Sequence, residues 1–383
     1  MLNWPPLANA WVPLEGSTPV PLWAHHEGAC RWPVGDPVLY CKAYDGVDCY
    51  SLEGRLRWRA PLSTGSGYAA SLSHDGSSLY LTDYDDGLIC LDAANGRRKW
   101  SLTLNEGYCT PAVGPDGAVY VAASDSDRVV KRVRDCGDSA VVEWTLPVGY
   151  SYYGCGPVLD RNGVVYAIGS DNSSGLSTLV AIDADGTVLW RDSLPGCYAG
   201  SPVIDSRNRI IIADQDGYLS CFNSDGTLAW SVVTNQLWPN CAAVGRDDRI
   251  IVTDLCGGIL SFDPNGRQQW QVPLDVCGGN TPCIADSIII AGDPESYLYG
   301  LDANTGSTLW MFSMWDSLDY AKRRAHIAEG DGCPSTVIGP AGDLYVACED
   351  GLFWVSNSDL HMANTAWPTY NHDNAHSGWA GRP

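Results

Sequence analysis

The chain has no run of 18 or more apolar residues, so no stretch reads as a membrane-spanning helix. It has no Cys-x-x-Cys and no two adjacent cysteines, which removes the zinc-ribbon, thioredoxin-like and vicinal-disulfide readings. Its start, Met1-Leu2-Asn3-Trp4-Pro5-Pro6, lacks a basic segment followed by an apolar one. A signal peptide is therefore not expected, and a cytoplasmic location is. There is no Gly-x-Ser-x-Gly, no His-Glu-x-x-His and no P-loop, so no common catalytic signature anchors an enzyme. Helical apolar periodicity does not persist anywhere in the chain's repeats. Charged residues are few, 18%, and basic ones fewer still: 23 Lys and Arg against 45 Asp and Glu, a net charge of −22. Such a field repels phosphate backbones, so nucleic acid is not an expected partner.

What is abundant is Trp, Tyr, Gly and turn chemistry. With 16 Trp and 19 Tyr against 4 Phe in 383 residues, Trp, Tyr, Val, Ile and Leu must fill the core. The Trp residues are periodic. An apolar residue, an acidic or amide residue, a turn ending in Gly, three residues and Trp form one unit, as in Leu301-Asp302 through Gly306 to Trp310. Further copies end at Trp58, Trp100, Trp190, Trp230 and Trp270, a degenerate one at Trp144 and an altered one at Trp367. From Trp58 to Trp310 the spacings run 42, 44, 46, 40, 40 and 40. A fixed period of this size marks a repeat architecture.

Each unit carries four short apolar runs separated by turn residues such as Pro115-Asp116-Gly117 and Arg161-Asn162-Gly163, which supply the positive φ angles of tight β turns. The second runs begin near Val38, Ser78, Val119, Val165, Ile210, Ile250, Ile288 and Leu344, which counts eight units. The expectation is all-β: one eight-bladed β-propeller of four-stranded antiparallel blades over 29–380. Residues 1–28, rich in Pro and Trp, read as an extended strap with one edge strand near Trp23, because Pro cannot donate to a sheet ladder. An insertion at 311–332 breaks the period.

The repeat, with Thr110-Pro111, Ser201-Pro202 and Thr281-Pro282 opening strands and Trp367-Pro368-Thr369-Tyr370-Asn371-His372 near the end, resembles that of the pyrroloquinoline-quinone-like (PQQ-like) propeller family, non-dehydrogenase type, in bacteria. The resemblance implies the eight-bladed fold and, for members of that type, a scaffold or assembly role. The quinone-dependent dehydrogenases of the family resemble a longer chain, with a vicinal disulfide over the quinone and a carboxylate-held calcium.

Three residue groups are candidates for function. Aromatics crowd the fourth-to-first-strand loops, which share one face: Tyr68, Tyr108, Tyr150, Tyr152, Tyr153, Tyr198 and Trp238. They suit recognition of a peptide or ligand, or they plug the channel. The insertion pairs Trp315 with Lys322, Arg323 and Arg324, either a partner patch or a loop docked on the acidic turns of its own molecule. Carboxylates at second-to-third-strand turns (Asp83, Asp214 and Asp254 among them) and cysteines before innermost strands (Cys30, Cys109, Cys155, Cys197, Cys241, Cys277 and Cys333) are read as turn formers and packing residues. A calcium site and a soft-metal or redox mouth are the alternatives. The expected function is a non-catalytic protein-interaction or ligand-binding scaffold, monomeric, with no catalytic residue, metal or cofactor assigned. The alternative is a quinone- or metal-dependent oxidoreductase using the mouth of the channel.

Overall fold

The computed structural model describes residues 9–12, 20–24, 38–43, 46–51, 55–62, 70–104, 109–123, 128–149, 156–170, 176–234, 237, 242–254, 258–274, 282–285, 287–292, 297–313, 335–338, 344–348 and 351–355. These residues form eight four-stranded sheets. Every strand pair is antiparallel, as in Gly46–Ser51 with Leu56–Pro61. The one helical element among them is a 3-10 turn, Arg246–Asp248. The first strands of neighbouring sheets touch, Ser71–Leu72 against Ala112–Val113 and Val203–Ile204 against Ala243–Val244. They therefore gather at the centre, with the fourth strands at the rim. The second strands are those whose apolar runs count the units: Val38–Ala43, Ser78–Asp83, Val119–Ala123, Val165–Ser170, Ile210–Ala213, Ile250–Thr253, Ile288–Gly292 and Leu344–Cys348.

The N-terminal segment, read from sequence as a strap, supplies two strands. Val20–Ala24 is the innermost strand of the first sheet, paired with Val38–Ala43. Asn9–Val12 is the outermost strand of the eighth, paired with Gly351–Val355. Val20–Ala24 also touches Ser335–Ile338, so the last sheet meets the first. Proline does not prevent this: Pro21 sits on an end strand with a single ladder neighbour, where a missing N–H is tolerated.

The Trp positions are equivalent because one register row recurs. It runs Tyr40–Cys49–Trp58 in the first sheet, Tyr80–Cys90–Trp100 in the second and Ile211–Cys221–Trp230 in the fifth. The middle residue is small in the fourth, sixth and seventh sheets too: Ala181, Ser261 and Gly300. The indole lies over it, and a Cβ on Gly300 would overlap Trp310. Just before each Trp the register slips by one residue, a β-bulge that turns the indole toward the next sheet. There it meets the Gly of the next turn. Trp58 packs on Gly96, Trp144 on Gly186, Trp190 on Gly226, Trp230 on Gly266 and Trp270 on Gly306. Each of these glycines has φ between 72° and 91°, so one residue serves both the turn and the layer.

The indole N–H groups find carbonyls in the same turns: Trp144 to Ala184 O (2.9 Å), Trp190 to Ser224 O (3.0 Å), Trp230 to Pro264 O (3.0 Å) and Trp270 to Ala303 O (3.2 Å). At the first sheet, Tyr40 Oη donates to Ala93 O (2.9 Å), the counterpart of Ala303. Trp58 Nε1 then has no acceptor among the described residues.

Candidate functional site

The fourth-to-first-strand loops and the second-to-third-strand turns emerge at the same end of the sheets. At this end the carboxylates serve the turns. Asp83 accepts the backbone N–H groups of Asp85 and Asp86, both at 3.1 Å. Asp214 Oδ1 accepts Tyr218 N (2.9 Å), and Asp254 Oδ1 accepts Gly258 N (2.7 Å). Each carboxylate thus replaces a backbone acceptor at the start of a turn. Asp45, Asp125, Asp127, Asp171, Asp293, Glu295, Glu349 and Asp350, the other carboxylates assigned from sequence to second-to-third-strand turns, lie outside the described residues.

Asp214 does more. It is buried, and its carboxyl stands against Gly196 of the preceding sheet, where any Cβ would overlap it. Burial, with the charge of Asp216 adding, pushes its pKa up to about 6. The Asp214–Gly196 contact joins a second-to-third turn to the loop that carries Tyr198. Tyr198 is exposed and holds φ 52°, a left-handed conformation that a bulky residue adopts only when its surroundings impose it. Sequence reasoning missed Gly196. It sits one sheet away from Asp214, and no local pattern couples the two.

Hydroxyl groups stitch the loops together below this surface. Thr82 Oγ1 donates to Cys109 O (2.7 Å) and Ser71 Oγ to Pro111 O (2.6 Å). Gly156 N donates to Ser201 Oγ (3.0 Å) and Ala199 N to Ser177 Oγ (3.3 Å). Near Trp238, Leu237 bridges to Asp254.

The described cysteine of the mouth, Cys109, is a packing residue. Its buried Sγ lies 3.1 Å from Ala122 O and 3.3 Å from Ala122 N, and burial pushes the thiol up to about 12. Cys30 comes after Val20–Ala24, the innermost strand of its sheet, rather than before it. Cys30, Cys155, Cys241, Cys277 and Cys333 lie outside the described residues, as does the side chain of Cys197. Among the described residues, no group of three or more His, Cys, Asp or Glu is placed to hold a metal ion. The four histidines near the termini (His25, His26, His372, His376) are not among them.

Of the aromatic and insertion residues singled out from sequence, Tyr198 falls among the described residues. Tyr68, Tyr108, Tyr150, Tyr152, Tyr153, Trp238, Trp315, Lys322, Arg323 and Arg324 lie outside them.

A sequence model described as outer membrane protein assembly factor BamB matches residues 43–148, 143–255 and 175–317. The chain belongs to this PQQ-like repeat propeller family. A curated relative, Protein Rv3035 of Mycobacterium tuberculosis, is 32% identical over 201 residues, 50% of this chain and 47% of that protein. The chain thus spans about half the length of this curated relative. The crystal structure of BamB from Moraxella catarrhalis superposes on this PQQ-like propeller with a TM-score of 0.65 at 16% identity, over 90% of this chain and 95% of that one. That likeness is one of fold. Among the described residues no helix is long and apolar enough to cross a membrane.

Proposed function

We propose that this propeller is a non-catalytic scaffold that holds a protein partner or small ligand at the face of the fourth-to-first-strand loops. The observation that carries the reading is Tyr198, kept exposed in a left-handed backbone and tied through its loop to the buried Asp214–Gly196 contact. A fixed aromatic on a rigid frame offers contact area at small entropic cost. Membership of a family described by an outer-membrane protein assembly factor supports an assembly or interaction role. The same reading takes Tyr68, Tyr108, Tyr152, Tyr153, Trp238 and the insertion residues Trp315, Lys322, Arg323 and Arg324 as further contacts. It takes the chain as a monomer that does not bind nucleic acid, on the strength of its net charge of −22. Its compartment is proposed as the cytoplasm, on the use of buried thiols as packing groups.

The test is a pull-down from the native host with the wild-type chain, with Tyr198→Ala and with Lys322, Arg323 and Arg324 replaced by Ser. Partner recovery that drops in the variants at unchanged melting temperature supports the reading. Saturable, quinone-dependent dye reduction by the purified protein would overturn it in favour of an oxidoreductase.

A further inference from the structure

An outer strand presents a row of backbone N–H and C=O groups to any further strand, and proteins guard such edges with charge or proline. The outer strands of the first four sheets are guarded. Each carries charge, from Arg57 and Arg59 in Leu56–Pro61 to Arg191 and Asp192 in Val188–Cys197. The sixth, Gln268–Pro273, ends on proline. Leu228–Val233 of the fifth sheet has neither guard. It exposes an apolar side chain at each end, Leu228 at 51% and Val233 at 67%, the latter the most exposed large apolar residue described. Thr308–Ser313 of the seventh sheet is also without charge or proline.

The groups on the outer side of Leu228–Val233 follow from its ladder. Thr234 N donates to Gly217 O at 2.8 Å. The next residues along the pair are Val233 opposite Tyr218, Val232 opposite Leu219 and Ser231 opposite Ser220. In an antiparallel pair, bonded and non-bonded positions alternate. Thr234 is bonded, so Val233 and Ser231 hold non-bonded positions and aim their N–H and C=O groups away from the sheet. The slip in register falls between Cys221 and Phe222, so the row is regular from Trp230 to Val233. The strand ends its sheet, and no described strand pairs with its outer side. The side chains of Ser231 and Val233, on one face, are exposed.

We propose that the outer edge of Leu228–Val233 docks an extended, apolar segment of another polypeptide with Lys or Arg at its ends, added to the sheet as one more strand. The unpaired backbone row requires an extended occupant, and the exposed Val233 and Leu228 favour apolar side chains on it. Charge decides the rest. No Lys, Arg or His occurs between Arg209 and Arg246, so the hairpin that presents the edge carries Asp214, Asp216 and Asp225 and no cation. In the flanking sheets, Arg191 is followed by Asp192 and donates to Pro147 O of the third sheet, and Arg267 shares its turn with Asp263. The whole molecule carries −22. A second copy would bring like charge to this edge, whereas a basic-ended segment is drawn to it. The edge uses rim backbone rather than the Tyr198 loop, so it can fail while the proposed function stands.

The test uses the full chain and a short fluorescein-labelled peptide of alternating Val and Thr with Lys at both ends, read by anisotropy. Saturable binding is expected, and the same peptide with Glu at its ends should bind at least about tenfold more weakly. Ser231→Pro removes an outward N–H and no ladder bond of the sheet, and should abolish binding. If that variant does not fold, Val233→Lys takes its place; it sets a cation on the edge and should weaken binding about tenfold. The control Leu189→Lys, on the guarded outer strand of the fourth sheet, should bind as the wild type does. The proposal is overturned by absent peptide binding, by equal binding of the Glu-ended peptide, or by variants at Ser231 and Val233 that bind as the wild type does. Binding that survives Ser231→Pro but is lost in Met311→Lys would belong to the seventh sheet and would also overturn it. So would a dimer in sedimentation that Ser231→Pro abolishes while the peptide fails to bind.

Discussion

Trp100 Nε1 donates to Asp135 Oδ1 at 2.8 Å. In four other layers the indole N–H finds a backbone carbonyl of the next turn, but the third sheet carries the degenerate repeat, and its turn between Asp135 and Ala140 offers Trp100 a side-chain carboxylate instead. Asp135 stands in for the carbonyl. Its other oxygen accepts Tyr80 Oη (2.8 Å), and Oδ1 also accepts Gly137 N (2.8 Å). One carboxylate thus completes a layer that the repeat would otherwise leave with two unsatisfied donors.

Asp135→Ala should therefore destabilise the protein by about 2–4 kcal/mol, since it strands two largely buried donors. Urea denaturation followed by Trp fluorescence measures it. Asp135→Asn keeps one acceptor oxygen and should fall between the two. A loss within about 0.5 kcal/mol for the Ala variant would show that water replaces the carboxylate.

Gly226 and Gly117 separate backbone conformation from layer packing. Both have positive φ, 91° and 82°. A Cβ on Gly226 would lie 2.8 Å from the Trp190 ring, whereas one on Gly117 meets nothing within 4 Å. Gly117→Ala should cost about 1 kcal/mol, the left-handed penalty alone. Gly226→Ala should cost at least about 2 kcal/mol, because the indole must also move. Equal costs in thermal denaturation would refute the layer contact.

Asp214 should make stability depend on pH in one direction. Its folded pKa of about 6 lies above the ordinary 3.8, so the fold favours the neutral acid. The contribution is fully present below about pH 4 and is lost as pH rises through about 6. Asp214→Asn retains an oxygen for Tyr218 N and cannot ionise. It should gain about 1–2 kcal/mol over wild type at pH 8 and little at pH 4. A gain that does not grow with pH would remove Asp214 as the titrating group.

The cysteines should react in two classes. Cys136 is exposed, while Cys49, Cys90, Cys109 and Cys221 are buried, with thiols pushed up to about 12 chiefly by burial. A thiol reagent should modify Cys136 rapidly in the native protein and the others only on unfolding. In guanidinium without reductant most of the 15 cysteines should titrate as free thiols. Recovery of a single free thiol would mean an oxidised, exported protein and would withdraw the proposed compartment.

Much of this was legible in the residues because it is local. A Gly that must adopt positive φ, alternating apolar runs and a Trp at fixed distance each act within one hairpin, so the period, the all-β class and the second strands followed from the sequence alone. Tyr198 was legible too, as an aromatic in a loop on a known face. What its neighbours are is a matter of the next sheet. The bulge before each Trp, the cysteines that serve as small spacers beneath Trp58, Trp100 and Trp230, and the contact of Asp214 with Gly196 all depend on register or on an adjacent sheet. So does the fate of the N-terminal segment. Asn9–Val12 pairs with Gly351–Val355, residues from opposite ends of the chain, and no local signal links them. Only ring closure brings the two ends together, because the eighth sheet has an unfilled edge that the first residues can reach.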